Sequence, residues 1–187
     1  MKKAVLVIDM LNDFVNGKLK CERAQLIIPN IEKLSSVARK SGVNVIYLND
    51  AHYESDFENK RWGAHALKET RGSEVIEELR PKKGDYVVEK RTYSGFFETG
   101  LDTLLKSLNV KTIYLAGLHT NVCARHTAAD AFFRGYEIVA VKDGLQAFSE
   151  KDHKDGLEYL KFAYNAQIKK TDEIIKKWEV GKNARLP

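Results

Sequence analysis

Hydrophobic residues follow two alternating patterns along this chain. Short runs rich in β-branched and other apolar residues predict buried strands, and segments with apolar residues at three- or four-residue spacing predict amphipathic helices. The strands are expected at residues 4–9, 43–50, 85–90, 111–117, 136–141 and 164–170. Helices are expected at 25–42, 72–79, 99–108, from 123 onward, 150–163 and 171–179.

The alternation of strands and helices predicts the fold class. It favours an α/β protein, because strands that are joined by helices form a parallel sheet with helices on its faces. Several strands are apolar at both odd and even positions, which is typical of a sheet covered on both sides. The chain shows no internal repeat or linker, so residues 1–187 are expected to form a single three-layer α/β/α domain.

Composition and charge exclude several classes of function. The net charge is +5 and the isoelectric point about 9.0, but basic residues are mixed with acidic ones rather than gathered into a stripe. A mixed-charge surface argues against a nucleic-acid partner. The apolar run at the N-terminus meets Asp9 after a few residues, so neither a signal peptide nor a membrane segment is predicted. Two cysteines, Cys21 and Cys123, suit a reducing compartment, and a cytoplasmic location is expected.

Reactive side chains stand where the predicted strands end. Asp9 ends the first strand, Asp50 the second with His52 just after it, Lys90 the third, and the fourth leads to Cys123. Ligands of parallel α/β sheets bind beyond these carboxyl ends. Taken singly, each residue has a structural explanation, such as a helix cap, an exposed lysine or a small buried thiol. Their occurrence on one edge favours a functional site.

Cys123 stands at the predicted start of a helix. A thiol there is close to the positive end of the helix dipole and to unpaired backbone N–H groups. Both favour the thiolate, and a nearby lysine would favour it further. The same N–H groups can stabilise the oxyanion that forms when a thiolate attacks a carbonyl carbon. The position therefore predicts a nucleophile with its own oxyanion hole.

Three separated motifs resemble the isochorismatase-like cysteine hydrolases. They are VLVIDMLNDFV, EKRTYSGFFETGLDTLL and LAGLHTNVCARHTAADAFFRGYEIVAVKDG, and the resemblance extends from about residue 4 to about residue 148. It implies a six-stranded parallel sheet in a Rossmann-type order. It also implies a catalytic triad of Asp9, Lys90 and Cys123 and a cis peptide between Leu118 and His119. The backbone N–H groups of His119 and Cys123 would then form the oxyanion hole.

The resemblance also implies the class of reaction. Family members with the cysteine hydrolyse amides, so the expected substrate is a small carboxamide or N-carbamoyl compound. The expected activity is that of an amidohydrolase that releases ammonia through a thioester intermediate, similar to N-carbamoylsarcosine amidase. A nicotinamidase, or a non-catalytic member that binds a metabolite, is the alternative.

A second set of residues matches the metal ligands of nicotinamidases. Asp50, His52 and His65 fall at the corresponding positions, with Trp62 three residues before His65. They imply a divalent metal such as zinc, whereas a hydrogen-bonded polar wall without metal is the alternative. Ala51 and Ala66 replace the Trp and Cys that are frequent in nicotinamidases.

The remaining expectations concern the pocket and the assembly. Phe14 and Trp62 are expected to form walls of the substrate pocket. Arg61 and Arg125 are candidates to hold a substrate carboxylate, although a surface position is the alternative for both. Family members commonly assemble, so a homodimer or homotetramer is expected, with the AFFRGY segment (residues 131–136) as a possible contact.

Overall fold

The computed structural model describes residues 2–183, and the sheet at its centre has six strands that are all parallel. Their spatial order is β3-β2-β1-β4-β5-β6. The strands are β1 (Lys2–Ile8), β2 (Asn44–Asp50), β3 (Tyr86–Lys90), β4 (Val110–Leu118), β5 (Glu137–Gln146) and β6 (Gln167–Lys169). The predicted parallel sheet and its Rossmann-type order are confirmed.

Helices cover both faces of the sheet. They are α1 (Asn12–Val15), α2 (Ile28–Lys40), α3 (Asn59–Trp62), α4 (Leu101–Ser107), α5 (Cys123–Phe133), α6 (Glu150–Tyr164) and α7 (Thr171–Asn183). Side chains of β1 alternate between the two sides, as a strand requires. Val5 and Val7 pack in the core beneath α2 and α7, whereas Leu6 and Ile8 pack in the core beneath α4, α5 and α6. The three predicted layers follow from this alternation.

The strand order reverses between β1 and β4, and the two strands approach closely there. Gly117 has φ +111, and a Cβ atom at this position would lie 2.0 Å from the carbonyl oxygen of Ile8. Only glycine fits this approach. Crevices at such a reversal, beyond the carboxyl ends of the strands, are where this class of fold binds ligands.

The prediction of a helix over residues 72–79 is wrong. The segment forms short 3₁₀ turns at Arg71–Ser73 and Glu77–Leu79, with an extended stretch between them. In that stretch the Ile76 N–H donates to the Met10 carbonyl, and Val75 forms an antiparallel bridge with Leu11. Backbone groups that a helix would pair locally are therefore paired with the chain after β1.

Other boundaries differ from the predicted ones by a few residues. The strand predicted at 136–141 is β5, and it continues to Gln146. The strand predicted at 164–170 is β6, which is only three residues long because α6 runs to Tyr164. Helix α2 begins at Ile28, next to a proline in its first turn. Within the described residues, no helix has both the length and the apolar character that crossing a membrane requires.

Candidate active site

The carboxyl ends of β1, β2 and β3 bring three charged side chains together. Asp9 follows β1 directly, and Asp50 and Lys90 are paired in register at the ends of β2 and β3. Asp9 has φ +52, a left-handed conformation that costs a non-glycine residue roughly 1–3 kcal/mol. Its N–H donates to the Leu48 carbonyl at 2.9 Å, and its Oδ1 accepts from the Asp50 N–H at 2.9 Å. The neighbouring strand thus holds Asp9 in this strained conformation.

Lys90 is an ammonium group enclosed by carboxylates. The residue is 1% exposed, and its Nζ lies 2.9 Å from Asp9 Oδ2 and 2.5 Å from Asp50 Oδ1. Burial alone would lower the pKa of Lys90, but the charges of Asp50 and Asp9 outweigh it and raise the pKa well above its ordinary value. Lys90 therefore stays protonated at neutral pH.

Asp9 has the properties of a proton acceptor near neutral pH. Burial and the negative charge of Asp50 raise its pKa to about 6, and Lys90 limits the rise. Its Oδ2 accepts no hydrogen bond within the described part of the chain beyond the ionic contact to Lys90. That oxygen is available to a proton from another group, and a pKa near the working pH is suited to general-base catalysis.

Cys123 is the first residue of α5 and is buried beside Asp9 and Lys90. One ligand atom from each of Asp9, Asp50 and Cys123 lies within 4.8 Å of the other two. Burial raises the pKa of the Cys123 thiol well above its ordinary value; Lys90 lowers it, and Asp9 and Asp50 raise it further. The expected effect of the lysine is present, since Lys90 favours the thiolate, but burial is the larger effect and favours the neutral thiol. In the resting site Cys123 is therefore a thiol that needs a base.

The backbone around Cys123 contains a cis peptide and two N–H groups without a backbone acceptor among the described residues. The peptide bond between Leu118 and His119 is cis. Among the described residues, the N–H groups of His119 and Cys123 donate to no backbone carbonyl. The His119 ring stacks on Phe148 with a centroid distance of 4.1 Å, and burial lowers its pKa to about 4. The His119 ring is thus neutral at neutral pH.

Asp50, His52 and His65 also come together. Their ligand atoms all lie within 4.8 Å of one another, and all three residues are buried. His52 Nδ1 lies 3.2 Å from Asp56 Oδ2, and His65 Nδ1 lies 2.7 Å from the Gly63 carbonyl. If each Nδ1 carries the proton and donates it to these acceptors, each Nε2 keeps a lone pair. Histidines that bind metals are commonly oriented by such a hydrogen bond from the other ring nitrogen. His52 Nε2 has no hydrogen-bond partner in the described residues.

This donor set fits a divalent metal. Two imidazole nitrogens and one carboxylate oxygen are common ligands of zinc, and three protein ligands leave positions open. Asp50 shares its charge, because Oδ1 contacts Lys90 while Oδ2 lies 3.6 Å from His52 Nε2. Burial would lower the pKa of His52, but the Asp50 and Asp56 carboxylates raise it above its ordinary value. The pKa of His65 is lowered by burial.

A small cavity of about 20 Å³ adjoins Cys123. Its walls include Phe14 and Trp62, as predicted, together with His119 and Phe148. The Trp62 indole N–H donates to the Tyr93 hydroxyl at 2.8 Å, and the Trp62 ring stacks on Phe148 at 6.1 Å. The volume holds little more than one water molecule, so a substrate must displace part of this aromatic wall.

Five lining residues were not predicted from the sequence, namely Leu19, Glu58, Tyr93, Val122 and Phe148. Phe148 follows the end of β5, so the strand-end rule would have found it had that strand been extended to Gln146. Tyr93 lies in the turn after Lys90, and Glu58 lies in a segment without a periodic signal. Burial, with a contribution from the charge of Asp50, raises the pKa of Glu58 to about 7.

Neither candidate arginine lines the pocket. The Arg61 guanidinium lies over the Trp62 ring at 4.9 Å, and the Arg125 guanidinium lies over the Tyr159 ring at 3.6 Å. No lysine or arginine is among the residues that line the cavity at Cys123. Arg125 therefore packs on an aromatic ring away from this cavity, and Arg61 packs on a ring of the cavity wall without lining the cavity itself.

A parallel sheet with an acid, a lysine and a thiol at the reversal of its strand order defines a class of hydrolase. The chain matches the model of the isochorismatase domain over residues 3–173. It belongs to the isochorismatase family of hydrolases, and the resemblance noted in the sequence is confirmed.

Several solved structures of amidases are similar to this chain. N-carbamoylsarcosine amidase from Thermoplasma acidophilum is 43% identical, with a TM-score of 0.87 over 92% of this chain and 98% of the other. The nicotinamidase/pyrazinamidase PncA from Bacillus subtilis is 32% identical, with a TM-score of 0.86 over 91% and 100%. A pyrazinamidase of Pyrococcus horikoshii in complex with zinc is 25% identical, with a TM-score of 0.83 over 91% and 99%.

Proposed function

We propose that this protein is a cysteine amidohydrolase that cleaves the C–N bond of a small carboxamide or N-carbamoyl compound and releases ammonia. The observation that carries the proposal is the buried group of Asp9, Lys90 and Cys123. A thiol, a carboxylate with a pKa of about 6 and a charged lysine meet beside two unpaired backbone N–H groups. Nucleophile, base and oxyanion donors are the parts that acyl transfer needs.

The first half of the reaction forms a thioester. Asp9 accepts the Cys123 proton, and the sulfur attacks the carbonyl carbon of the substrate. The oxyanion that develops is stabilised by the N–H groups of His119 and Cys123. Asp9 then gives its proton to the nitrogen, the C–N bond breaks and ammonia departs.

The second half returns the enzyme to its resting state. Asp9 accepts a proton from a water molecule, whose oxygen attacks the thioester carbon. The C–S bond breaks, the acid or carbamic acid leaves, and the proton on Asp9 returns to the thiolate. Lys90 remains charged throughout, where it holds Asp9 in place and lowers the energy of the thiolate.

The substrate class is supported by the relatives and by the size of the cavity. The 43% identity with an N-carbamoylsarcosine amidase favours a carbamoyl compound, and the small cavity favours a compact reacting group. A nicotinamidase is the second candidate. It is favoured by the Asp50, His52 and His65 donor set and by the likeness to a pyrazinamidase that binds zinc.

We further propose that Asp50, His52 and His65 hold a divalent metal. When bound, the metal would supply a Lewis acid with open positions for water or for a nitrogen of the substrate. Asp56 and the Gly63 carbonyl orient the two imidazoles, and Lys90 remains in contact with the other oxygen of Asp50.

The test is ammonia release from a panel that includes nicotinamide, N-carbamoyl amino acids and ureidoacrylate. Mass spectrometry of the quenched protein should show an acyl or carbamoyl adduct on Cys123 with the best substrate. Tight binding of one compound, without ammonia and without an adduct, would instead identify a non-catalytic metabolite-binding protein.

A further inference from the structure

A second, larger cavity lies beside the one at Cys123. Its volume is about 390 Å³, within the range of small-molecule sites. Glu58 and Tyr93 line both cavities, so these two side chains form the partition between them. The cavity is called the outer cavity below, and the one at Cys123 the inner cavity.

The outer cavity follows one face of α5 away from Cys123. His126, Ala129, Asp130 and Phe133 line it from that helix. These residues lie three to ten positions after Cys123, which corresponds to about 5–15 Å along a helix axis. The opposite wall is the segment after Lys90, with Thr92, Ser94 and Phe97. A molecule whose reacting carbon lies at Cys123 would reach this space with a chain of a few atoms.

The chemistry of the walls is aromatic and lacks positive charge. The rings of Tyr93 and His126 stack at 5.4 Å, and Phe97 and Phe133 are 52% and 73% exposed. Asp130 is already paired, because its Oδ2 accepts from Ser94 Oγ at 2.5 Å and its Oδ1 from Arg134 Nη1 at 2.6 Å. No lysine or arginine is among the lining residues, and Glu58 lies in the partition toward the inner cavity.

The partition is built from side chains that can rearrange. Tyr93 is only partly buried and is held by the hydrogen bond from Trp62 and by its stacking on His126. Since the inner cavity holds little more than a water molecule, a substrate must extend beyond it. The outer cavity is the adjoining space large enough for an aromatic group.

We propose that the outer cavity binds the part of the substrate remote from the scissile amide, and that this part is an uncharged group with an aromatic or apolar surface. The inference rests on the proposed amidase function and deepens it. A carboxylate in that part of the substrate would find no lysine or arginine among the residues that line the outer cavity.

Three amides with the same reacting group test the proposal. They are propionamide, 4-phenylbutanamide and 4-(4-carboxyphenyl)butanamide, which carries a carboxylate on the aromatic ring. The uncharged aromatic amide should have the highest kcat/KM of the three. Ala129→Trp, which fills the outer cavity, should lower kcat/KM for 4-phenylbutanamide by roughly 10- to 100-fold, the scale of losing the burial of one aromatic ring. Its effect on propionamide should be within about twofold, because that amide carries no aromatic group to place in the outer cavity.

Phe133→Ala and Phe132→Ala form the matched pair of variants. Both phenylalanines are exposed and adjacent, but only Phe133 lines the outer cavity. Phe133→Ala should lower kcat/KM for 4-phenylbutanamide more than for propionamide, and Phe132→Ala should leave both values unchanged. Binding of the same three amides to Cys123→Ala, measured by calorimetry, gives a readout that does not need turnover.

The outcomes separate the two hypotheses. If no amide releases ammonia but Cys123→Ala still prefers 4-phenylbutanamide, the proposed reaction fails and the outer site stands. Equal use of all three amides, or an equal effect of Ala129→Trp on propionamide, would overturn the outer site. Light scattering on the same variants completes the test: dissociation of an oligomer by Phe133→Ala without a change in amide preference would identify the surface as a contact between copies and overturn the proposal.

Discussion

Two polar clusters share Asp50 and differ in how their groups are paired. In the first, the single ammonium of Lys90 is paired with both Asp9 and Asp50, and the thiol of Cys123 lies beside them. In the second, His52 and His65 are anchored through Nδ1, and the Nε2 atom of His52 has no partner among the described residues. The first cluster already holds an acid, a base and a balancing charge, so it can move a proton between its own side chains. The second cluster has a histidine nitrogen without a partner in the described chain, so it is suited to bind a ligand from outside the chain.

The comparison predicts the largest effect at Cys123. Cys123→Ser should abolish measurable turnover, because an alcohol is a weaker acid than a thiol and Asp9 is too weak a base for it. Ammonia release with the best amide of the panel is the measurement. Cys21→Ser is the matched control, since Cys21 is buried elsewhere and its thiol donates to the Ala147 carbonyl at 3.3 Å, a bond that a hydroxyl can replace. Retained activity in Cys123→Ser would rule out the thioester route.

The second effect concerns the lysine of the first cluster. Lys90→Ala should lower kcat by at least ~100-fold, the scale of losing one positioned catalytic group. Lys90 lowers the pKa of Cys123, so its loss should shift iodoacetamide alkylation of Cys123 to higher pH. Lys83→Ala is the control, because Lys83 is exposed in the turn before β3. Identical alkylation profiles in the two variants would remove Lys90 from the triad.

The third effect is confined to the second cluster. Asp56 holds His52 Nδ1 and is itself bound by Arg91, so Asp56→Asn should weaken zinc binding by about 10- to 100-fold. Competition with a chromogenic chelator measures the affinity without turnover. Asp85→Asn is the control, since Asp85 forms a comparable pair with Arg39 far from the site. Equal zinc affinity in both variants would show that Asp56 does not prepare His52 for the metal, and no zinc binding by the parent protein would show that the second cluster is a polar wall.

The smallest effect joins the two clusters through Asp50. Asp9 must be deprotonated to accept the thiol proton, so kcat/KM of the metal-free enzyme should fall as the pH drops below about 6. The charge of Asp50 raises the pKa of Asp9, so neutralising that charge with zinc should move the acidic limb to lower pH. The rate profile with chelator and with zinc measures the shift. A limb that does not move would mean that Asp50 has no influence on Asp9.

Much of this protein was determined by its sequence alone. Continuous apolar runs and apolar residues at helical spacing are local properties, so they predicted the alternation of elements, the parallel sheet and the covered faces. The strand-end rule placed Asp9, Asp50 and Lys90 on one rim because parallel strands end at the same edge. The helix predicted at 72–79 failed because its backbone pairs with residues 10–12, far away in the sequence.

The protonation states and the shape of the pocket were decided only by the tertiary structure. The sequence indicated groups that favour the Cys123 thiolate, whereas the opposing effect of burial became visible only in the structure, since desolvation depends on every chain segment around the sulfur. Arg125 lies two residues after Cys123, yet it packs on Tyr159 of α6. Glu58 and Tyr93 meet between the two cavities although 35 positions separate them, and no local pattern reports such a meeting. Sequence periodicity records which face of an element is buried, whereas charge, pKa and cavity shape depend on what is packed against that face.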